Sequence, residues 1–221
     1  MVASTRPAPG GGRWVEVAPE RLPRWLEGFQ RRHGALAVNP VGQMLVVAAF
    51  DGILAELYPP PGGAGGSDLA EFISDAQAAR SLGLLLARRS AAAVGVARDG
   101  RLEVSKVDSW YVQSRTAAGG QSQQRFARRR ANQATAAAGK AADIAVRLLL
   151  PAAGHLAAVV TGGDRRTVDT ILSDARLARL VPLRTSRHLA VATPNGAVLR
   201  EAVRAARAVT IHLPTESEHR S

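Results

Sequence analysis

Between Thr116 and Arg130 the chain reads TAAGGQSQQRFARRR. Gly119 and Gly120 lack a Cβ, so the backbone before Gln121 can take angles barred to other residues and approach a ligand closely. Arg125, Arg128, Arg129 and Arg130 follow, with planar guanidinium groups suited to pairing with phosphate oxygens. No acidic residue lies between Asp108 and Asp143, whereas Arg115, Arg125, Arg128, Arg129, Arg130 and Lys140 all do. These six positive charges are over half of the net +11 of the chain. An excess of this size, concentrated in one window, implies a polyanionic partner. Nucleic acid is favoured over membrane, because no basic amphipathic anchor is evident. The chemistry expected here is a glycine-hinged tip entering an anionic site, with arginines behind it to grip phosphate.

The tip needs a helix behind it. With Ser122 as N-cap and 100° per residue, Phe126, Ala131, Ala134, Ala138, Ala141, Ile144, Ala145, Leu148 and Leu149 fall in one broad apolar sector. Arg125, Arg128, Arg129, Asp143 and Arg147 fall opposite. Arg130 lies within the apolar sector, which is tolerable if the first turns project beyond the body or if its stem snorkels. Gly139 interrupts this helix at a cost of roughly 1 kcal/mol relative to alanine. Pro151 closes it.

Before this helix the chain reads as follows. Residues 1–12 are small, rich in Pro and Gly and without periodicity, and are expected to be disordered. PERLPRWLEGFQRRHG predicts a short amphipathic helix with Leu22, Trp25, Leu26 and Phe29 on one face and Gly34 as its stop. MLVVAAF and ILAELY flank Asp51-Gly52, a hairpin signal. PPPGGAGGS (59–67) reads as a loop and marks the best internal boundary, and a helix over 68–80 is capped by Ser67 or Asp68. From Leu82, LGLLLARR, AAAVGVA and LEVSKVD form a meander turned at RDGR, and WYVQS (110–114) leads into the opening motif.

Beyond the long helix, strand HLAAVVT, helix 165–180, strand RHLAVAT, helix 197–208 and strand VTIHL alternate. A meander followed by such alternation implies an α/β fold in which a mixed sheet is flanked by helices on both faces. The expected organisation is a disordered terminus (1–12), an N-terminal extension of helix plus hairpin (13–81), the main domain (82–213) and a tail (214–221). Alanine dominates the apolar residues and aromatics are only 4%, so a small-residue aliphatic core is expected. There is no cysteine, which excludes disulfides and thiolate metal sites and fits a reducing compartment. Neither a signal peptide nor a membrane span is recognisable, so a cytoplasmic protein is expected.

Other residues with chemical potential are less persuasive. His33, His155, His188 and His212 lack metal-ligand spacing, and no metal or other cofactor is expected. TGGDRR (161–166) could form a phosphate-binding turn, but a plain strand-to-helix turn with Asp164 as cap is the much commoner case. Asp108 and Ser109 have no histidine nearby to complete a triad. Trp14, Trp25 and Trp110 read as packing residues.

GGQSQQRFARRR resembles the signature of the middle domain of eukaryotic and archaeal class 1 peptide release factors, in which a GGQ loop precedes a serine and an R-F-x-R-x-R helix. The match covers Gly119, Gly120, Gln121, Ser122, Arg125, Phe126, Arg128 and Arg130. It extends more weakly from about Leu82 to Leu213. A stop-codon-reading factor needs a decoding domain, for which residues 1–81 are too short and lack a NIKS-like motif. The chain is therefore more similar to the Vms-like release factors (the VLRF family, including actinobacterial forms), which free nascent chains from stalled large subunits without reading a codon.

The resemblance implies hydrolysis of the ester joining a nascent peptide to the tRNA 3′ end. It assigns catalysis to Gly119, Gly120 and Gln121, with Gln123 or Gln124 as alternatives to Gln121. RNA contacts fall to Arg115, Ser122, Arg125, Arg128, Arg129 and Arg130. The implied partners are the ribosomal large subunit, ribosomal RNA and peptidyl-tRNA, with no membrane, and a monomer off the ribosome. Two alternatives stay open: a nuclease removing the tRNA CCA end, and a non-catalytic module in which the arginine helix only grips RNA.

Overall fold

The computed structural model describes residues 4–9, 11–110 and 122–215, with side chains of 122–131 excepted. The chain divides into two compact units, residues 1–79 with 204–221, and residues 80–203.

The first unit is built on a six-stranded antiparallel sheet. In chain order its strands are β1 (Ser4–Pro7), β2 (Arg13–Val17), β3 (Leu36–Val41), β4 (Met44–Ala49) and β5 (Leu54–Tyr58), completed from the far end of the chain by β11 (Val209–Leu213). Their spatial order is β1-β2-β11-β5-β4-β3. Buried and half-buried residues alternate along β4 and β5, the period-two signature of a sheet covered on one face. The covering is α1 (Leu22–His33) and α2 (Leu69–Gln77). Leu22, Leu26 and Phe29 of α1 and Phe72 and Ala76 of α2 pack with Val15, Val17, Leu45, Val47, Leu57, Val209 and Ile211. Gly34 follows α1, as expected, and the Asp68 carboxylate caps α2 at the Glu71 N–H.

One expectation needs correction here. Ser4–Pro7 is not disordered but pairs with β2. The N-terminal region holds β1, β2 and β3 besides the expected helices and hairpin. β11 bonds β2 on one side and β5 on the other, so the C-terminal strand belongs to the first sheet. Without it the sheet would split between β2 and β5, each with an unpaired inner edge.

The second unit is a mixed five-stranded sheet. β6 (Ser81–Arg88), β7 (Ala91–Arg98) and β8 (Arg101–Ser109) form an antiparallel meander, and β9 (Leu156–Gly163) and β10 (Arg184–Leu189) add parallel strands, in the order β10-β9-β6-β7-β8. The β7–β8 turn has Asp99 at φ 48° and Gly100 at φ 80°, the pair of positive angles that lets a two-residue turn follow strand twist. α3 (Ser122–Leu149) crosses from β8 to β9, and α4 (Arg165–Leu172) from β9 towards β10.

The expected helix over 165–180 is broken. Ser173 bonds back to the Thr170 carbonyl, and Asp174 turns extended to cap the Arg176 N–H, opening a 3₁₀ segment over Ala175–Leu183. Both residues compete with helical hydrogen bonding through their own side chains. One face of the sheet packs Leu85, Ala87, Val94 and Val159 against Ala138, Ala141, Ala145 and Leu149 of α3, Val168 and Ile171 of α4, and Leu177 and Leu180 of the 3₁₀ segment. α5 (Gly196–Arg207) buries Leu199, Ala202, Val203 and Ala206 and returns the chain to β11.

Candidate functional site

β6 ends at Arg88, β7 begins at Ala91, β8 ends at Ser109 and β9 ends at Gly163. The pairs Arg88↔Ala91, Ala91↔Ser109 and Ala87↔Gly163 bring these four ends to one rim. Parallel strands end at such a rim, and the connections leaving it are where open α/β sheets bind ligands. The chain leaves β8 here and returns as α3.

Its exit is fixed twice. The Trp110 N–H donates to the Ser90 carbonyl at 2.9 Å, and the indole Nε1–H donates to the Arg89 carbonyl at 2.6 Å, while Trp110 packs against the core. The residue before the motif is thus pinned to the β6–β7 turn through both backbone and side chain. Sequence reasoning read Trp110 as packing and missed this clamp, since its partner lies 21 residues away.

Arg115, Gly119, Gly120 and Gln121 lie outside the described residues. Ser122, Gln123, Gln124, Arg125, Arg128, Arg129 and Arg130 form the first turns of α3 by backbone, and their side chains lie outside the described set. From Asn132 to Ala136 no residue is buried, whereas burial begins at Ala137 and Ala138 and continues through Leu149. Ala134, expected in the buried sector, is only half-buried, while Ala137 and Ala142 join it. At 1.5 Å per residue, the stretch over 132–136 is about 7.5 Å of helix without a fully buried residue. The packed portion is tied to the 3₁₀ segment by Arg176, which reaches Asp143 at 2.8 Å and Asp174 at 2.7 Å.

The other candidate turn, TGGDRR, is occupied by the protein itself. Gly163 has φ 94°, and a Cβ there would run into the Ala87 carbonyl oxygen. The Asp164 N–H donates to that same oxygen at 2.8 Å. The Asp164 carboxylate accepts the Thr167 N–H at 2.8 Å and the Thr167 hydroxyl at 2.6 Å. These Thr167 bonds, helped by the charges of Arg88 and Arg89, hold its carboxyl below the usual range. The turn is a capped strand-to-helix connection, and α4 spends its first amides on Asp164.

His188 adds a brace. Its Nε2 faces the Gly163 carbonyl oxygen at 3.0 Å, an acceptor only, so Nε2 carries a proton, and Nδ1 shares a hydrogen bond with the buried Thr161 hydroxyl at 3.0 Å. His33 and His212 pair with Asp51 and Glu56. Among the described residues no group of three His, Asp or Glu side chains could hold a metal ion. No helix among them is long and apolar enough to cross a membrane.

A family model described as "Actinobacteria/chloroflexi VLRF1 release factor" matches residues 80–212, more than half of the chain. The chain belongs to this release factor family. The match includes the rim, the unit that carries it and the whole GGQSQQRFARRR segment. No curated protein matches the sequence. Among solved structures, an archaeal translation termination factor, aRF1, aligns with 16% identity and a TM-score of 0.42, over 88% of this chain and 65% of that one. A structure titled only as an archaeal protein aligns with 19% identity and a TM-score of 0.41, over 85% of this chain and 56% of that one. Saccharomyces cerevisiae Dom34, a translation termination-like factor, aligns with 8% identity and a TM-score of 0.35, over 92% of this chain and 67% of that one. The chain therefore spans less than two thirds of the length of either archaeal structure.

Proposed function

We propose that this release factor family member is a peptidyl-tRNA hydrolase that acts in the cytoplasm on large ribosomal subunits holding a stalled nascent chain, without reading a codon. The observation that carries the reading is the spacing of Gly119, Gly120, Gln121, Ser122, Arg125, Phe126, Arg128 and Arg130, which follow a clamped strand end and run into the first turns of a long helix. Ester hydrolysis needs a water held against the carbonyl carbon and donors for the oxygen that gains charge. The Gln121 N–H, flanked by glycine, is a donor small enough to enter a crowded RNA cavity. The Gln121 side-chain amide orients the water but cannot deprotonate it, because an amide has no basic lone pair near neutral pH. Proton transfer is then left to the RNA and the tRNA ribose. Arg115, Arg125, Arg128, Arg129 and Arg130, with the Ser122 hydroxyl, hold phosphates, which position the tip without reading sequence.

The test is release of nascent peptide from purified stalled large subunits by Gln121→Ala, alone and with Gln123→Ala. Release is expected to fall by at least 100-fold, the scale of losing a transition-state donor. Unchanged release by the double variant defeats the reading. Sequencing the liberated tRNA ends is expected to find intact CCA; truncated ends would identify phosphodiester cleavage instead.

A further inference from the structure

The rim carries a second group of arginines that the motif does not include. Arg88 and Arg89 occupy the β6–β7 turn, and Arg165 and Arg166 open α4 on the strand beside it. All four are exposed. Arg88 donates from Nε to the Val191 carbonyl at 3.0 Å, which fixes the side chain while leaving its terminal nitrogens available. Arg89, Arg165 and Arg166 form no ion pair among the described residues. Two carboxylates share this rim, and both are engaged. Asp164 caps α4, and Asp108 accepts the Ser109 N–H at 2.9 Å.

The geometry points to Arg88, Arg89, Arg165 and Arg166 as a second phosphate-binding surface, on the rim where β8 ends, docking on RNA backbone. This inference rests on the ribosomal reading above and extends it to residues outside the motif. Four cations on two adjoining turns outnumber the two carboxylates of the rim and repel one another, and a polyanion relieves that repulsion. Arginine at all four positions suits phosphate oxygens better than lysine would. Among the described residues, the exposed large hydrophobic side chains, Val41, Phe50, Val104 and Val181, lie outside these turns. The surface is also rigid. Trp110 holds the β6–β7 turn, the Asp164 N–H bonds Ala87, and His188 holds the Gly163 carbonyl.

The experiment measures affinity for purified large ribosomal subunits carrying peptidyl-tRNA, over a series of salt concentrations. The rim variant is Arg89→Gln with Arg166→Gln. The control removes the same charge at the opposite end of the same sheet, Arg98→Gln with Arg101→Gln, which flank the β7–β8 turn. The rim variant is expected to bind about tenfold more weakly near 0.15 M salt, with a log–log salt slope shallower by roughly 1.5, because each lost phosphate contact removes about 0.7–0.9. The control is expected to move neither quantity, and Arg89→Lys with Arg166→Lys is expected to keep most of the slope. Equal losses in rim and control variants, or no loss in either, overturn the proposal. Gln121→Ala separates the two readings. It is expected to bind normally and fail in release, and if it releases peptide normally the hydrolase reading falls while the binding series still decides the rim.

Discussion

At Gly163 a single Cβ decides whether two strands can stay in register. The residue sits at φ 94° beside the Ala87 carbonyl, which is already the acceptor for the Asp164 N–H. Gly163→Ala forces both an unfavourable backbone angle and displacement of that oxygen. A loss of about 2 kcal/mol or more is expected, from strain alone in the range of 1–3 kcal/mol, read as a lower urea midpoint. The sequence TGGD announced a turn but not which glycine was obligatory, since that depends on the neighbouring strand. Asp174 gives a second residue-scale test. The Arg176 guanidinium, bonded to it directly, lowers its carboxyl pKa to about 2. Since the folded value lies below the unfolded one, near 3.9, this pair contributes stability above pH 3.9 that is lost as pH falls towards 2. Arg176 is exposed and Asp174 only half-buried, so solvent screens the pair and the contribution is small. Arg176→Gln is expected to raise the Asp174 titration, followed by NMR, towards the ordinary carboxylate range, the retained backbone N–H bond keeping part of the lowering, and an unshifted titration would show that the guanidinium is not the cause.

Among elements, α3 changes along its length. Its C-terminal half packs, while over 132–136 no residue is fully buried. Gly139 lies at the start of the packed half, exposed, with nothing within 4 Å of where a Cβ would stand. Gly139→Ala is therefore expected to stabilise the protein by about 0.5–1 kcal/mol, seen as a raised melting temperature. If peptide release falls as stability rises, the glycine serves flexibility in the arm that carries the arginines. Elements with strong local patterns, such as α1, the β4–β5 hairpin and the β7–β8 turn at Asp99-Gly100, were legible from sequence. β1 and β3 were not, and the reason is physical. Each contains a proline, Pro7 and Pro40, which argues against a strand, yet each lies at an outer edge of the six-stranded sheet, where a missing N–H costs no ladder bond. The candidate site divides similarly. Its motif could be read from spacing, but Arg88, Arg89 and the Trp110 clamp meet only through pairing of β6, β7 and β8.

On the scale of the whole molecule, the chain's two ends are joined by β11. Strand propensity marked VTIHL, but nothing local could say which sheet it enters, because its partners β2 and β5 lie some 150 to 200 residues earlier. Ile211 is fully buried in the core of the first unit, facing Val15 on one side and Leu57 on the other. Ile211→Ala should cost about 2–5 kcal/mol, the range for deleting a buried aliphatic side chain. Where that cost appears is the sharper test. Amide exchange in β2 and β5 is expected to accelerate, because both strands bond to β11 directly, while amides of Leu84 in β6 and Val159 in β9 keep their protection. Equal loss in both sheets would mean that the units unfold as one cooperative body, in which case damage at the C-terminal strand reaches the rim and α3. Selective loss would instead mean that a weakened first unit leaves the unit bearing the GGQ segment intact, so that peptide release by Ile211→Ala at saturating factor stays near wild type.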